Sequence, residues 1–260
     1  ILKADAFKKD SELIAIARRA LITQVAFQGK EVNLESGEEP GKFIHEFRPD
    51  RYSHLTRGKK PWYVYPDKIL RNYDSIDSTS LMLVALYRFW EATQDNEFLG
   101  EVLPAVRAGL NWIFEFGDCD RDDLIEYTLN PHRHYGGLAV QSWTDSLDSL
   151  IRHDGTLPPY PIAPVEVQGY TWLALTLWAE FFAQSDAAYS TALRLKARCM
   201  KKAFNSHFIF KDSSGSYFAA QALDGNKTQI TTITPNPLLC LWATHQKESI
   251  IDEKYIPDIV

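Results

Sequence analysis

The chain has 260 residues, 45 % of them hydrophobic and 24 % charged, with a formal net charge of −6. That is enough apolar material for one large folded domain, and the charge sign argues against a nucleic-acid partner, which would need clustered Lys and Arg. No stretch reaches the roughly 18 apolar residues of a membrane span and no basic-then-apolar leader opens the chain, so the expectation is a cytoplasmic protein with no membrane partner. Cys119, Cys199 and Cys240 are odd in number, lack metal-ligand spacing and read as reduced thiols, in keeping with that compartment.

Helical periodicity dominates. Residues 10–28 carry Leu13, Ile14, Ile16, Ala17, Ala20, Leu21 and Val25 at helical spacing. Residues 78–93 form a nearly all-apolar helix, with Ser78 or Thr79 as its N-cap. Residues 97–116 follow, with Leu103, Val106, Leu110, Ile113 and Phe114 on one face. Further helices are expected over 166–185, 186–206 and about 238–245, and strand signals are confined to Phe208 to Phe210 and Tyr217 to Ala220. The pattern predicts an all-α chain of antiparallel helix pairs in a single domain over 1–260, an α/α toroid or part of one, with the connecting loops on one face.

The connections are long: 29–77, 117–141 and 152–165. Loops of that length in a compact domain are usually functional. The first carries Trp62, Tyr63, Tyr65 and Tyr73 outside any helical period, and flat rings with polar edges suit the faces of sugars. RGKK, Arg57 to Lys60, reads as a solvated loop.

Acids stand at three expected helix starts: Asp77 in NYDSIDSTS, Asp145 with Asp148 in SWTDSLDSL, and Glu166 in PVEVQGYTW. The ordinary reading of each is a helix cap facing solvent. On a helix begun by Ser142 or Asp145, Asp145 and Asp148 would share a face, and burial against Trp143 would raise a carboxyl pKa that a helix N-terminus lowers. Glu166 has little polar surface around it, so it needs a partner: a ligand hydroxyl or a neighbouring base. His132 and His134 lack a carboxylate or Cys at matching short spacing, so no metal and no other cofactor is expected.

At these residues the chain resembles the amylo-α-1,6-glucosidase, or glycogen-debranching-type, glycoside hydrolases, which are (α/α)6-barrel enzymes. Where that family has EEPGKILHE-R, Glu38 to Arg48 reads EEPGKFIHEFR; where it has VDATPLF, Ile76 to Met82 reads IDSTSLM. GL-NQGWKDS-DS corresponds to GLAVQSWTDSLDS (Gly137 to Ser149), and DGS…PIA-VEVQGY to DGTLPPYPIAPVEVQGY (Asp154 to Tyr170). The resemblance implies hydrolysis of an α-glucosidic bond with inversion. It makes Asp145 the general acid, Asp77 and Glu166 binders of substrate hydroxyls, and Trp143 and Tyr170 part of the sugar pocket. Asp148, Gln168 and Trp62 complete the expected substrate-binding set, and the partner implied is an α-glucan or small α-glucoside.

There are departures. The family's Asn, Gly and Lys in NQGWK are Val140, Ser142 and Thr144, and Lys9 stands where a sugar-clamping Arg is found. A Lys cannot make the same bidentate fork. The helical pattern supplies about half of a six-hairpin barrel, and the resemblance places the general base in a later helical pair, past Val260. Glu248 and Glu253 read as ordinary surface acids. The alternative is therefore a partial toroid that binds α-glucan without cleaving it. A third class, an epimerase-like toroid, would need a proton-shuttling His45 or His153.

Overall fold

The computed structural model describes residues 10–260 except Asp145, Leu147 and His153. The chain divides into two compact units: residues up to Phe114 together with Asn130–Ala139, and Glu115–Leu129 together with Val140–Val260.

The first unit is built on three helices: α1 (Ser11–Ala26), α2 (Asp77–Thr93) and α3 (Asn96–Trp112). Asp10 caps α1 by accepting from the backbone N–H of Glu12 and Leu13, both at 3.0 Å. At the start of α2 the expected Ser78 or Thr79 cap is absent. The helix begins at Asp77 with no capping side chain at Ile76, and Ser75 Oγ accepts from Ser78 N–H instead. Thr79 Oγ1 is taken by the N–H of Phe43 at 3.0 Å, which pins the EEPGKFIHEFR loop to the helix. Gln94, in the left-handed region, ends α2 and turns the chain into α3, whose first turn is capped by Asp95 through Phe98 N–H at 2.9 Å.

Phe43, Leu70, Leu83, Leu86, Phe89, Phe98, Val102 and Leu110 form the buried core of this unit. The expected apolar face of α1 is only partly used: Leu21 is buried, whereas Leu13 and Ile16 are 43 % and 46 % exposed. Phe114, assigned to a buried helical face, is exposed because α3 passes into a π-helical turn, Ile113–Gly117, which rotates it off that face. In the long loop, β1 (Glu46–Arg48) pairs antiparallel with β2 (Leu70–Asn72), Phe47 opposite Arg71.

The second unit contains α4 (Val165–Phe182), α5 (Ala187–His207), α6 (Asn236–Trp242) and the short α7 (Ile256–Ile259). α4 is buried almost all round, as its uninterrupted apolar sequence requires. It packs beside α5, capped by Asp186, and against α6. Gly169 permits the second contact: a Cβ there would lie 2.9 Å from Cys240 Cα. Ahead of α4, β3 (Ala163–Pro164) joins a small antiparallel sheet with β6 (Ala222–Leu223) and β7 (Gln229–Ile230), and β4 (Ile209–Lys211) forms a hairpin with β5 (Tyr217–Ala219). The helix expected from Ser142 is not present: the described residues of 141–150 form bends and turns. The Ser149 hydroxyl there donates to the Thr144 carbonyl, a local side-chain-to-backbone bond of the kind that competes with helix formation.

Candidate active site

In the first unit Asp77 is 6 % exposed. Burial raises its carboxyl pKa above the ordinary aspartate value; the Ser75 hydroxyl, which donates to it, and the nearby His45 oppose the rise without cancelling it. A carboxylate held this way accepts readily from a ligand hydroxyl.

The turn leading to it is anchored by Asp74, which the sequence reading did not single out. Asp74 is buried and accepts from Arg133 Nη1 at 2.6 Å, Leu138 N–H at 3.0 Å and Asn72 Nδ2 at 3.1 Å. Gly137 is required here, since a Cβ would fall 2.0 Å from Asp74 Oδ2 and 2.3 Å from Arg133 Nη2. The same clamp carries the aromatic loop. Trp62 bridges to Gly136, and Tyr63 stands edge-on to both Tyr65 and Tyr135, ring centres 5.1 and 5.2 Å away.

Glu35 fixes Tyr135 from below, accepting from the N–H groups of His134 and Tyr135 at 2.9 Å and lying 2.8 Å from His134 Nδ1. His134 is thus engaged with a carboxylate, and His132 is exposed. The EEPGK motif is structural. Glu38 accepts from Lys30 N–H and the Tyr65 hydroxyl, and Glu39 accepts from Trp112 Nε1 at 2.7 Å with Lys42 at 3.6 Å.

In the second unit Glu166 projects from the first turn of α4 and is fully buried; Asn236 Nδ2, at the start of α6, lies 3.3 Å from Oε2. It is no solvent-facing cap. Gln168, in the expected substrate-binding set, is also fully buried and spends its amide on the backbone: Oε1 accepts from Ile125 N–H at 2.8 Å, and Nε2 donates to Ile125 and Pro164 carbonyls at 2.7 and 3.0 Å. Its observed contacts position the chain beside α4. Tyr170, one turn beyond Glu166, is buried and meets Trp242 edge-to-face at 5.9 Å.

Trp143 is 56 % exposed and Asp148 is exposed, on a turn that Ser149 closes by donating to Thr144 O at 2.7 Å. Asp145 belongs to this turn in sequence but lies outside the described residues, as does His153. Gln221 ties the turn to the site: its Nε2 donates to Ser149 O at 2.9 Å, while its backbone carbonyl accepts from Val165 N–H at 3.0 Å. One buried glutamine thus joins the Trp143-bearing turn to the start of the Glu166 helix. Neither Gln221 nor Asn236 carries a local signal, because each acts on residues about 70 positions away.

The described residues hold one acidic cluster, Asp118, Asp120, Asp122 and Glu126, with ligand atoms within 4.8 Å of one another. The Lys227 ammonium lies among them, 2.8 Å from Asp120, 2.6 Å from Asp122 and 2.6 Å from Glu126, and Lys196 pairs with Asp118 and Asp123. These amines supply the compensating positive charge, so the cluster reads as a pin between loops.

No family model matches the chain, and no curated protein matches it. Among solved structures it is similar to a metal-independent alpha mannosidase from Streptococcus pneumoniae, solved in a non-productive substrate complex with alpha-1,6-mannobiose. The TM-score is 0.55 at 13 % identity, over 97 % of this chain and 59 % of that one. A rhamnosidase from Klebsiella oxytoca with rhamnose bound gives a TM-score of 0.48 at 14 % identity, over 88 % of this chain and 34 % of that one. The chain therefore spans about 59 % of the length of the mannosidase. The mannosidase match establishes a helical fold shared with a glycoside hydrolase.

Proposed function

We propose that the chain acts as a glycoside hydrolase on α-glucosidic bonds, of the debranching type and with inversion at the anomeric carbon, in an (α/α)6-type architecture. The observation that carries this reading is Glu166: a fully buried carboxylate in the first turn of an apolar helix, beside the amide of Asn236 and joined through Gln221 to the Trp143-bearing turn. A buried acid amid amides and aromatic rings is suited to accept hydrogen bonds from sugar hydroxyls while the rings cover the C–H faces.

In this reading Glu166, in the second unit, holds sugar hydroxyls, with Trp143 and Tyr170 for apolar contacts, Asp148 at the rim, and Gln168 holding the backbone from which Glu166 projects. In the first unit, Asp77 is suited to accept from a sugar hydroxyl and Trp62 to cover an apolar sugar face. Asp145 protonates the departing glycosidic oxygen. Water, activated by a second carboxylate at the roughly 6.5–9.5 Å separation of inverting enzymes, attacks the opposite face of the sugar. The C–O bond to the leaving group breaks as the water oxygen bonds C1, and the water's proton passes to the base.

The test is Asp145→Asn. Turnover of an unactivated α-glucoside is expected to fall about 10²–10⁴-fold while sugar affinity persists, because a proton donor is lost and the pocket keeps its shape. With α-glucosyl fluoride, whose leaving group needs no protonation, the defect shrinks. Wild-type turnover of the unactivated substrate by the variant would make Asp145 a turn residue only.

A further inference from the structure

α5 carries Arg194, Lys196, Arg198, Lys201 and Lys202 and not one Asp or Glu, in a chain whose 34 acids outnumber its 28 Lys and Arg. An ordinary solvated helix face intersperses charges of both signs, since like charges three or four positions apart repel. Lys196 is accounted for by its pairs with Asp118 and Asp123. Arg198, Lys201 and Lys202 stand at i, i+3 and i+4 and share a face.

That face is one wall of a cavity of about 410 Å³, and residues 252–255 form the other wall and add Lys254. Four cations line the cavity against one carboxylate, Asp252, which leaves three positive charges in excess. Lys201 is held in place, donating to the Ser249 carbonyl at 2.8 Å with Glu248 at 4.0 Å, and Lys254 sits over the Tyr255 ring at 4.7 Å. Arg198 and Lys202 are exposed, and among the described residues their side chains form no ion pair or hydrogen bond. The two walls are joined without them: Asn205 Oδ1 accepts from Asp252 N–H at 2.9 Å, and its Nδ2 donates to Ile250 O at 2.8 Å. Backbone bonds fix the cavity, and its charge is left uncompensated.

We infer that this cavity binds the phosphate group of a small phosphate ester or of inorganic phosphate. A phosphate ester carries a charge of about −1.5 to −2 near neutral pH, which the excess matches. Arg198 supplies paired N–H donors and the lysines supply point charges. The volume lies within the range of small-molecule sites, roughly 300–1,000 Å³. A basic helix lying on a membrane needs an apolar face to insert, and here Leu193, Ala197, Met200 and Phe204 are buried in the protein. Neither Glu166 nor Trp143 lines the cavity, so the inference stands apart from the hydrolase reading.

The test is calorimetric titration of the full chain with inorganic phosphate and with glycerol 3-phosphate, which has no sugar ring to enter a saccharide site, at about 0.15 M ionic strength. The expected result is saturable binding with a Kd of about 1 mM or tighter. The double variant Arg198→Gln, Lys202→Gln should bind about tenfold or more weakly, because charge-assisted hydrogen bonds are lost, with an unchanged or higher thermal midpoint. Lys59→Gln, Lys60→Gln removes the same charge from the first unit and should bind as wild type does. The tighter of the two probes tells free phosphate from an ester. Should the midpoint of the double variant fall, Lys202→Gln alone carries the same comparison. Absence of saturable binding by wild type would overturn the inference, as would equal weakening in both double variants, which would reduce the effect to net charge. Tighter binding to phosphatidylserine vesicles or single-stranded DNA than to either small probe would overturn it too, by assigning the face to a surface or a polymer.

Discussion

Asp77 and Glu166 are acids in the first turn of apolar helices, where a cap facing water is the usual outcome, yet both are buried. For Asp77 the consequence is a pH dependence. Its folded pKa is raised by burial, so its stabilising contribution is complete below the unfolded aspartate value and is lost as pH rises through the folded value. Asp77→Asn should therefore show a smaller stability loss than wild type as pH rises above the unfolded aspartate value of about 4, measured by urea midpoints, while saccharide affinity falls. A variant that tracks the wild-type curve would mean that Asp77 ionises at no cost. Glu166→Gln is isosteric and keeps a hydrogen-bond acceptor, but loses charge; binding and turnover should weaken together, by about tenfold or more. A fall in kcat at constant KM would instead place Glu166 in the chemical step.

At the scale of elements, the helices were legible because long apolar periods act locally. α4 was expected over 166–185 and spans Val165–Phe182, and the β4–β5 hairpin lies where the strand signals pointed. The sheet of β3, β6 and β7 was not legible, since strands of two residues carry no alternation. The packing of α6 on α4 was equally hidden, although Gly169 marks it. Gly169→Ala would place a methyl 2.9 Å from Cys240 Cα and should cost about 1–3 kcal/mol by overpacking. A helix-propensity gain with no loss of stability would contradict that contact. The pin of Lys227 on Asp120, Asp122 and Glu126 joins residues about a hundred positions apart, which no local pattern reveals. Lys227→Met leaves those carboxylates without their ammonium and should lose about 2–3 kcal/mol near neutral pH. Because the Lys227 pKa is raised, this contribution is full below the unfolded lysine value and vanishes as pH rises through the folded one. The variant and wild type should thus converge at strongly alkaline pH in urea titrations.

At the scale of the molecule, the sequence motifs carried further than the composition. A charge of −6 and 13 % aromatic residues fit many helical proteins. The acid-bearing turns pointed to Asp77 and Glu166, both of which are buried, and the structure adds the residues that hold their segments: Asp74, Asn236 and Gln221. Those were not readable because each works through a neighbour distant in sequence. The division into two units was not anticipated from a single pattern of helix pairs, because segment Asn130–Ala139 returns to the first unit through the Asp74–Arg133 clamp. The central claim, an inverting glycosidase whose acid lies in the turn after Trp143, is tested most directly by proton NMR of the full chain acting on an α-glucoside, read before mutarotation. The account predicts the β-anomer of the released sugar as the first product. First appearance of the α-anomer, or no release of sugar, would contradict it.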